Sequence, residues 1–306
     1  MTVDMTADMA TMKIGYFPGC SLQGSSRDFA ESLRAVAKAL SIELCEIPEW
    51  NCCGASSGHM IEHLVSVALP INVLVKAQKA GLDQVMAPCA SCYNRLATAS
   101  HEIAHSPATK AQVEKVLQTT IGKLPRVLNV VELLAQVSDR IGPKVTKKFE
   151  QTVACYYGCL LVRPAKITGF DRTEDPVELD KLVAAVGGKT IDWNFKTECC
   201  GASFSVARTP VVGRLGAKIM RDAVERKAEA VIVACPMCHS NLDLRRGEIN
   251  RHLDKATDIP VLFITQVIGL ALGLSEKVLG LRRHFVPVQF PVKQSDKTAA
   301  PAAAVS

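Results

Sequence analysis

The sequence predicts an α/β protein built from two equivalent halves, each a small, mainly parallel sheet flanked by helices. Three observations point there. A three-part cysteine pattern occurs twice in the same order, short strand-like runs end at its cysteines, and amphipathic helical stretches separate those runs. In the first half Tyr16-Phe17-Pro18-Gly19-Cys20 leads, Asn51-Cys52-Cys53-Gly54-Ala55-Ser56 follows, and Ala87-Pro88-Cys89-Ala90-Ser91-Cys92 closes. In the second, Tyr156-Tyr157-Gly158-Cys159, Glu198-Cys199-Cys200-Gly201-Ala202-Ser203 and Ala234-Cys235-Pro236-Met237-Cys238 take the same places. Matching cysteines lie 139, 147 and 146 residues apart, from Cys20 to Cys159, Cys52 to Cys199 and Cys89 to Cys235. Three matches at nearly one offset mark an internal duplication.

Taken in order, Met12 to Phe17 and Gln151 to Tyr156 read as strands, each delivering a cysteine at its carboxyl end. Phe29, Leu33, Val36, Ala37 and Leu40 recur at helical spacing, as do Val211, Leu215, Ile219, Ala223 and Val224. Gln84 to Ala87 and Ala230 to Ala234 are again strand-like, and each runs directly into a Cys-x-x-Cys. Strands alternating with helices favour a parallel sheet, which gathers ligands at the carboxyl ends of its strands. Thr98 to Gly142 reads as a largely helical connection. The expected domains are residues 12–142, including that connection, and 150–286. The Pro/Ala/Ser/Lys-rich stretch closing the sequence, residues 287–306, is expected to be a disordered tail.

Composition narrows the function. The chain of 306 residues is 48% hydrophobic and 22% charged, as soluble globular proteins are. Its formal charge of +6 is spread out, with no Lys/Arg block dense enough to follow a phosphate backbone, so nucleic acid is not an expected partner. Met1 to Lys13 carries Asp4 and Asp8 and no basic region before an apolar stretch, unlike a secretory signal. The longest apolar run, Ile259 to Leu274, is interrupted by Thr265 and Gln266 and falls short of the roughly 20 residues of a membrane span. No transmembrane segment is expected, and a cytoplasmic location follows. There, cysteine clusters serve metal or redox chemistry more often than disulfides.

Twelve cysteines are the informative excess. Soft thiolates in such number select zinc, copper(I) or iron–sulfur clusters. A structural zinc ion takes four ligands, whereas each half offers five. Adjacent cysteines diverge in a regular strand and can share a site only in a turn, which Gly54 and Gly201 permit. A multi-iron cluster accommodates such a set more naturally than one tetrahedral ion. Cys45 and Cys155 are not repeated and read as ordinary buried thiols, although Cys155 lies four residues from Cys159. Cys235 to His239 spells a c-type haem attachment site. That chemistry requires export, and the first-half equivalent ends in Tyr93. His239 is a candidate hydrogen-bond donor to cluster sulfur, or a proton source for a product thiolate. His59/His63 and His101/His105 read as solvated helix faces. With no Gly-x-Gly-x-x-Gly and no P-loop, the chain is not expected to bind a nucleotide or flavin itself.

The duplicated Cys, Cys-Cys-Gly, Cys-x-x-Cys pattern resembles the cysteine-rich CCG domain, and two such domains in about three hundred residues resemble the B-type subunit of heterodisulfide reductase. The likeness runs from Gly15 to about Val286. It includes Tyr157 to Pro164, Cys235 to Asp243 and the closing Leu-Gly-Leu-Arg-Arg-His-Phe-Val. The resemblance implies two pseudo-twofold related domains and two non-cubane [4Fe-4S] clusters facing each other. Cys20, Cys52, Cys53, Cys89 and Cys92 would hold one; Cys159, Cys199, Cys200, Cys235 and Cys238 the other. It further implies reductive cleavage of a disulfide between the clusters, one electron and one sulfur to each, or the reverse in bacterial sulfur-oxidising complexes. Electrons would come from a flavin-containing subunit by way of a ferredoxin-like iron–sulfur subunit. The signature is shared with quinone-linked dehydrogenases, where such a chain is a non-catalytic electron-transfer or membrane-docking subunit. Arg95, Arg163 and His239 lie close to the expected ligands in sequence.

Overall fold

The computed structural model describes residues 11–290. Met1–Ala10, on which most of the signal reading rests, and residues 291–306 of the expected tail lie outside the described residues. The first half runs β1 (Met12–Tyr16), α1 (Gly19–Gln23), α2 (Arg27–Ala39), β2 (Ile42–Glu46), α3 (Gly58–Ile61), α4 (His63–Lys79), β3 (Gln84–Met86), α5 (Ala90–His105), α6 (Pro107–Leu117), β4 (Arg126–Leu128) and α7 (Val130–Gln136). The second runs β5 (Thr152–Tyr156), α8 (Ala165–Thr168), α9 (Glu178–Ala185), β6 (Lys189–Thr190), α10 (Thr209–Glu225), β7 (Ala230–Val233), α11 (Pro236–Leu242), α12 (Arg246–Asn250), β8 (Val261–Phe263) and α13 (Ile264–Ala271).

The two sheets have one topology. Strand order is β2-β1-β3-β4 in the first and β6-β5-β7-β8 in the second, and every pair is parallel. The order reverses between β1 and β3, and between β5 and β7. Chains leaving those neighbouring strands turn to opposite sides, which opens a crevice at their carboxyl ends. The first and third cysteine motifs of each half issue from that pair of strands.

Two readings change. Residues 98–142 are more than a connection, because they contain β4, the edge strand of the first sheet, paired with β3 from Gln84↔Arg126 to Met86↔Leu128. Three residues are too few to show a period of two. The stripe on α10 is also turned by about one residue. Val212, Gly213, Gly216, Ala217, Ile219, Met220 and Ala223 face inward, while Val224 is exposed. Glycine carries no apolar signal, yet here it sets the packing. A β-carbon on Gly216 would come within 2.6 Å of the Ile249 side chain, and one on Gly213 within 2.8 Å of the Glu248 carbonyl. The stripe on α2 is buried as its spacing predicts.

One apolar core runs through both halves. Phe29 of α2 stacks on Phe263 of β8 with centroids 4.1 Å apart and planes 3° from parallel. Beside them, the Ser32 and Thr265 hydroxyls lie 2.7 Å apart with no solvent access. Helix α13 packs on α2, and α9 on α7. Past residue 286, where the tail is expected to begin, Phe290 still packs edge-on against Phe149 at 5.5 Å. No helix among the described residues is long and apolar enough to cross a membrane.

Candidate metal centre

In each half the three cysteine motifs meet at the carboxyl end of the sheet. Cys20 lies in α1 just after β1, and Cys159 in the loop after β5. Cys89 and Cys235 precede the first residues of α5 and α11, with Cys92 and Cys238 one turn further on. The adjacent pairs Cys52-Cys53 and Cys199-Cys200 sit in loops ending at Gly54 (φ +76°) and Gly201 (φ +78°). The Gly54 amide is 3.4 Å from the Cys52 sulfur, and the Gly201 amide 3.3 Å from that of Cys199.

The sulfurs form a ladder that reads alike from either end. Cys53 and Cys92 are 3.2 Å apart, and Cys200 and Cys238 3.7 Å. Cys92 lies beside Cys89 and Cys238 beside Cys235, close enough for their thiols to interact, and at the midpoint Cys89 and Cys235 face each other across the two halves. Cys199 pairs likewise with Cys159. All six thiols of the ladder are buried, whereas Cys20, Cys52 and Cys199 are exposed. None of the twelve cysteines is in a disulfide.

Thiols this close share protons. The hydrogen bond from Cys92 brings Cys53 down to about 7, and the one from Cys159 brings Cys199 to about 6. Cys92, Cys238 and Cys159 are pushed up in return. Across the midpoint Cys235 is held down and Cys89 raised. Thiolates beside thiols are the donors that a soft metal centre takes up with release of the remaining protons.

Two glycines leave room for this array. Gly19 (φ +62°) and Gly158 (φ +69°) follow the leading strands, and a β-carbon on them would stand 3.2 Å from the Cys92 sulfur and 2.9 Å from that of Cys238. The aromatic ring beside each is Phe17 or Tyr156, another pair 139 residues apart. Tyr156 is surrounded by Cys238, Cys200, Cys159 and Cys199, and its hydroxyl donates to the Glu198 carbonyl at 2.5 Å. Neither ring stands out in the sequence without the glycine offset.

Strand alternation sends Cys155 the other way. It is fully buried, its electrostatic neighbours are Asp180 and Lys196, and it stands apart from the thiol ladder. Cys45 is not a buried thiol as expected. It lies half-exposed on edge strand β2, 3.5 Å from the Glu43 carboxylate. Edge strands cover one flank only, which position in the sequence does not reveal.

Arg163 supports the second Cys-Cys-Gly loop from behind, donating to the Thr197 carbonyl (3.2 Å) and hydroxyl (2.9 Å) and pairing with Glu174. Lys196 is buried with Asp175 at 2.8 Å and Asp180 at 3.6 Å, while its carbonyl accepts the Tyr157 and Gly158 amides. Arg95 lines a surface cavity with His101, Glu102 and Lys166. His59 and His63 are exposed, and Glu62 breaks the helix between them; His63 pairs with Glu102 at 2.7 Å. His105 bonds the His101 carbonyl.

The imidazole of His239 is buried, stacks on Phe263 at 4.3 Å, and donates from Nε2 to the Val261 carbonyl at 3.1 Å. It stands edge to face with His284, whose Nε2 is 3.5 Å from Asp28. Asp28, His239 and His284 thus place three possible ligand atoms within 4.8 Å of one another. Gln266 engages the set. Its carbonyl accepts the Phe263 amide and its amide donates to the Leu279 carbonyl, so its second N–H faces His284 Nε2 at 2.8 Å. That bond occupies the lone pair a metal would need there, and the triad reads as a polar clasp joining α2, α11 and the C-terminal segment.

Comparisons with known proteins place the repeated motif in a family. The cysteine-rich domain model, CCG, matches residues 14–97 and again 153–243. The chain is 28% identical over 278 residues to the 8-methylmenaquinol:fumarate reductase membrane anchor subunit of Wolinella succinogenes, covering 90% of this chain and 97% of that one. It is also 28% identical over 289 residues to the B-type subunit of the ferredoxin:CoB-CoM heterodisulfide reductase of Methanosarcina mazei, covering 90% and 94%. Among solved structures, a hypothetical protein from Helicobacter pylori superposes with a TM-score of 0.71 at 12% identity. That likeness covers 91% of this chain and about half (53%) of the other, and shows the fold alone. With the domain model matched twice across more than half of its length, the chain belongs to the cysteine-rich CCG domain family.

Proposed function

We propose that the chain is the iron–sulfur subunit of a heterodisulfide-reductase-like complex, acting on a disulfide or persulfide between two non-cubane [4Fe-4S] clusters. The observation that carries this reading is the ladder of sulfurs symmetric about Cys89 and Cys235. Cys20, Cys52, Cys53, Cys89 and Cys92 would hold one cluster, and Cys159, Cys199, Cys200, Cys235 and Cys238 the other. The donor set fits: ten free thiols, six of them buried side by side, exceed what two zinc ions require. When bound, the clusters supply one-electron chemistry at sulfur. Splitting a disulfide takes two electrons and two protons and yields two thiols, which suits a matched pair of one-electron centres. Relatives named as the B-type subunit of heterodisulfide reductase support the reading.

The protein's part is to place those centres. The Cys89–Cys235 contact brings the two sites together, the Cys-Cys-Gly loops present exposed thiols, and Gly19 and Gly158 keep side chains away from the sulfurs. His239 supports this by fixing α11 against β8 through its bond to Val261. Electrons would be delivered from a flavin-containing subunit by way of a ferredoxin-like iron–sulfur subunit. Free thiols throughout suit the cytoplasm.

Anaerobically purified protein should contain about eight iron per chain with matching acid-labile sulfide and little zinc. Its paramagnetic signals should change when a disulfide or thiol is added. Two zinc ions and negligible iron would sink the proposal. The similarity to the membrane anchor subunit from Wolinella succinogenes favours a second reading, an electron-transfer or docking subunit. Iron clusters whose signals ignore every thiol and disulfide would select it.

A further inference from the structure

The two sites are alike in sulfur and differ in the N–H groups that reach it. In both halves the loop after the cysteine pair turns two amides toward sulfur, but to different sulfurs: Gly54 faces Cys52 and Ala55 faces Cys53 in the first, whereas Gly201 and Ala202 both face Cys199 in the second. The second half adds Asn241. This residue lies in α11 one turn beyond Cys238 and has no solvent access. Its side-chain amide donates to the Cys200 carbonyl at 2.9 Å and lies 3.8 Å from the Cys200 sulfur. At the offset that relates Cys92 to Cys238, the first half has Arg95 in this place, and Arg95 lines a surface cavity. The nearest amide there, Asn94, turns away to the Leu160 and Arg163 carbonyls at 3.1 and 2.8 Å. Among the described residues, Cys53 therefore receives no side-chain amide and Cys200 does.

An N–H aimed at a ligand sulfur stabilises the more negative, reduced state of an iron–sulfur centre and raises its reduction potential. Resting on the iron–sulfur reading above, we propose that Asn241 is a positioning residue that makes the second-half site the easier of the two to reduce. A pair of sites copied from one ancestor is thereby given a direction. A single electron entering the chain resides on the Cys159–Cys238 side, and the Cys20–Cys92 side takes the second. The burial of Asn241 is consistent with such a task. Its Oδ1 has no partner, so the residue forgoes one hydrogen bond while its amide stays directed at Cys200.

The test is an anaerobic redox titration of the full-length, iron-loaded chain, followed by electron paramagnetic resonance. The wild type should show two midpoints. Replacing the exposed Cys20 and Cys52 together by serine should remove the lower one and so assign the halves. Asn241→Leu, which keeps the size and deletes the amide, should lower the upper midpoint by about a tenfold change in electron partition, ~59 mV for one electron, and leave the other in place. Asn241→Gln, which keeps an N–H donor, should restore most of the shift. Full iron content with both midpoints unmoved in Asn241→Leu overturns the proposal, as does movement of the first-half midpoint instead. Iron loss in Asn241→Leu that Asn241→Gln does not restore also overturns it, by making the residue a brace. Absence of iron from the wild type removes the iron–sulfur reading itself, a result separable from unmoved midpoints in an iron-loaded chain.

Discussion

Single side chains here divide between those that face the sulfurs and those that look toward them in sequence and face away. Cys155 and Tyr156 are neighbours on one strand, and only Tyr156 reaches the thiols. On the proposed iron–sulfur reading, Cys155→Ser should keep its full iron content and lose about 1–3 kcal/mol of stability, the cost of a buried hydroxyl without a partner; unfolding and metal analysis of one preparation check both. A second expectation concerns acid. Burial lifts Asp28 to about 6, above the roughly 3.9 of an unfolded aspartate. The folded chain holds that proton more tightly, so the contribution of Asp28 is full below about pH 4 and lost as pH rises through 6. Asp28→Asn removes this slope and should gain on the wild type by roughly 2–3 kcal/mol between pH 4 and pH 7. Denaturant unfolding at stepped pH measures it, and parallel curves for the two proteins would count against the assignment. The ten gathered cysteines were legible because each belongs to a repeated motif. Asn241, Phe17 and Tyr156 were not, since a lone polar or aromatic residue looks the same in sequence whether it faces sulfur or core. The direction of His239 was also hidden, because the Val261 carbonyl that accepts its hydrogen bond comes from a strand 22 residues later.

At the level of elements, the strands and turns that deliver cysteines were readable and their neighbours less so. β1, β3, β5 and β7 announce themselves as apolar runs ending at a motif. β6 is two exposed residues, Lys189 and Thr190, and β8 merges with α13 in one apolar stretch, so neither shows its own period. The turns permit a sharp comparison. Gly158 and Gly81 both have positive φ, +69° and +71°. A β-carbon at Gly158 meets the Cys238 sulfur at 2.9 Å, whereas at Gly81 it meets nothing within 4 Å. On the proposed two-cluster reading, Gly158→Ala should lose about half of the bound iron. Gly81→Ala should keep all of it and show only the ~1–2 kcal/mol strain of a left-handed residue. Equal iron in the two variants would contradict the arrangement of the second site.

For the whole molecule, duplication was plain in the sequence and the joint between the copies was not. Residues from both halves share one core, with Phe29 stacked on Phe263 and the Asp28, His239 and His284 clasp beside them. Such contacts join residues more than two hundred positions apart and leave no periodic trace. Phe263→Ala should cost about 3–5 kcal/mol, in a single unfolding transition that carries both halves with it. Two separate transitions would show the copies to be autonomous.

The Cys89–Cys235 contact also bears on biosynthesis. Helix α5, which supplies Cys92, is tied to the later half through Tyr93 on the Thr168 carbonyl and Asn94 on Leu160 and Arg163. A nascent chain that has just exposed Cys89 therefore lacks the surroundings of its own first site until synthesis has passed Cys235, 146 residues on. On the iron–sulfur reading, filling of the first-half site is thus expected to wait until the chain through Cys235 has been made, and a product truncated before Cys235 should leave even the earlier cysteines unfilled.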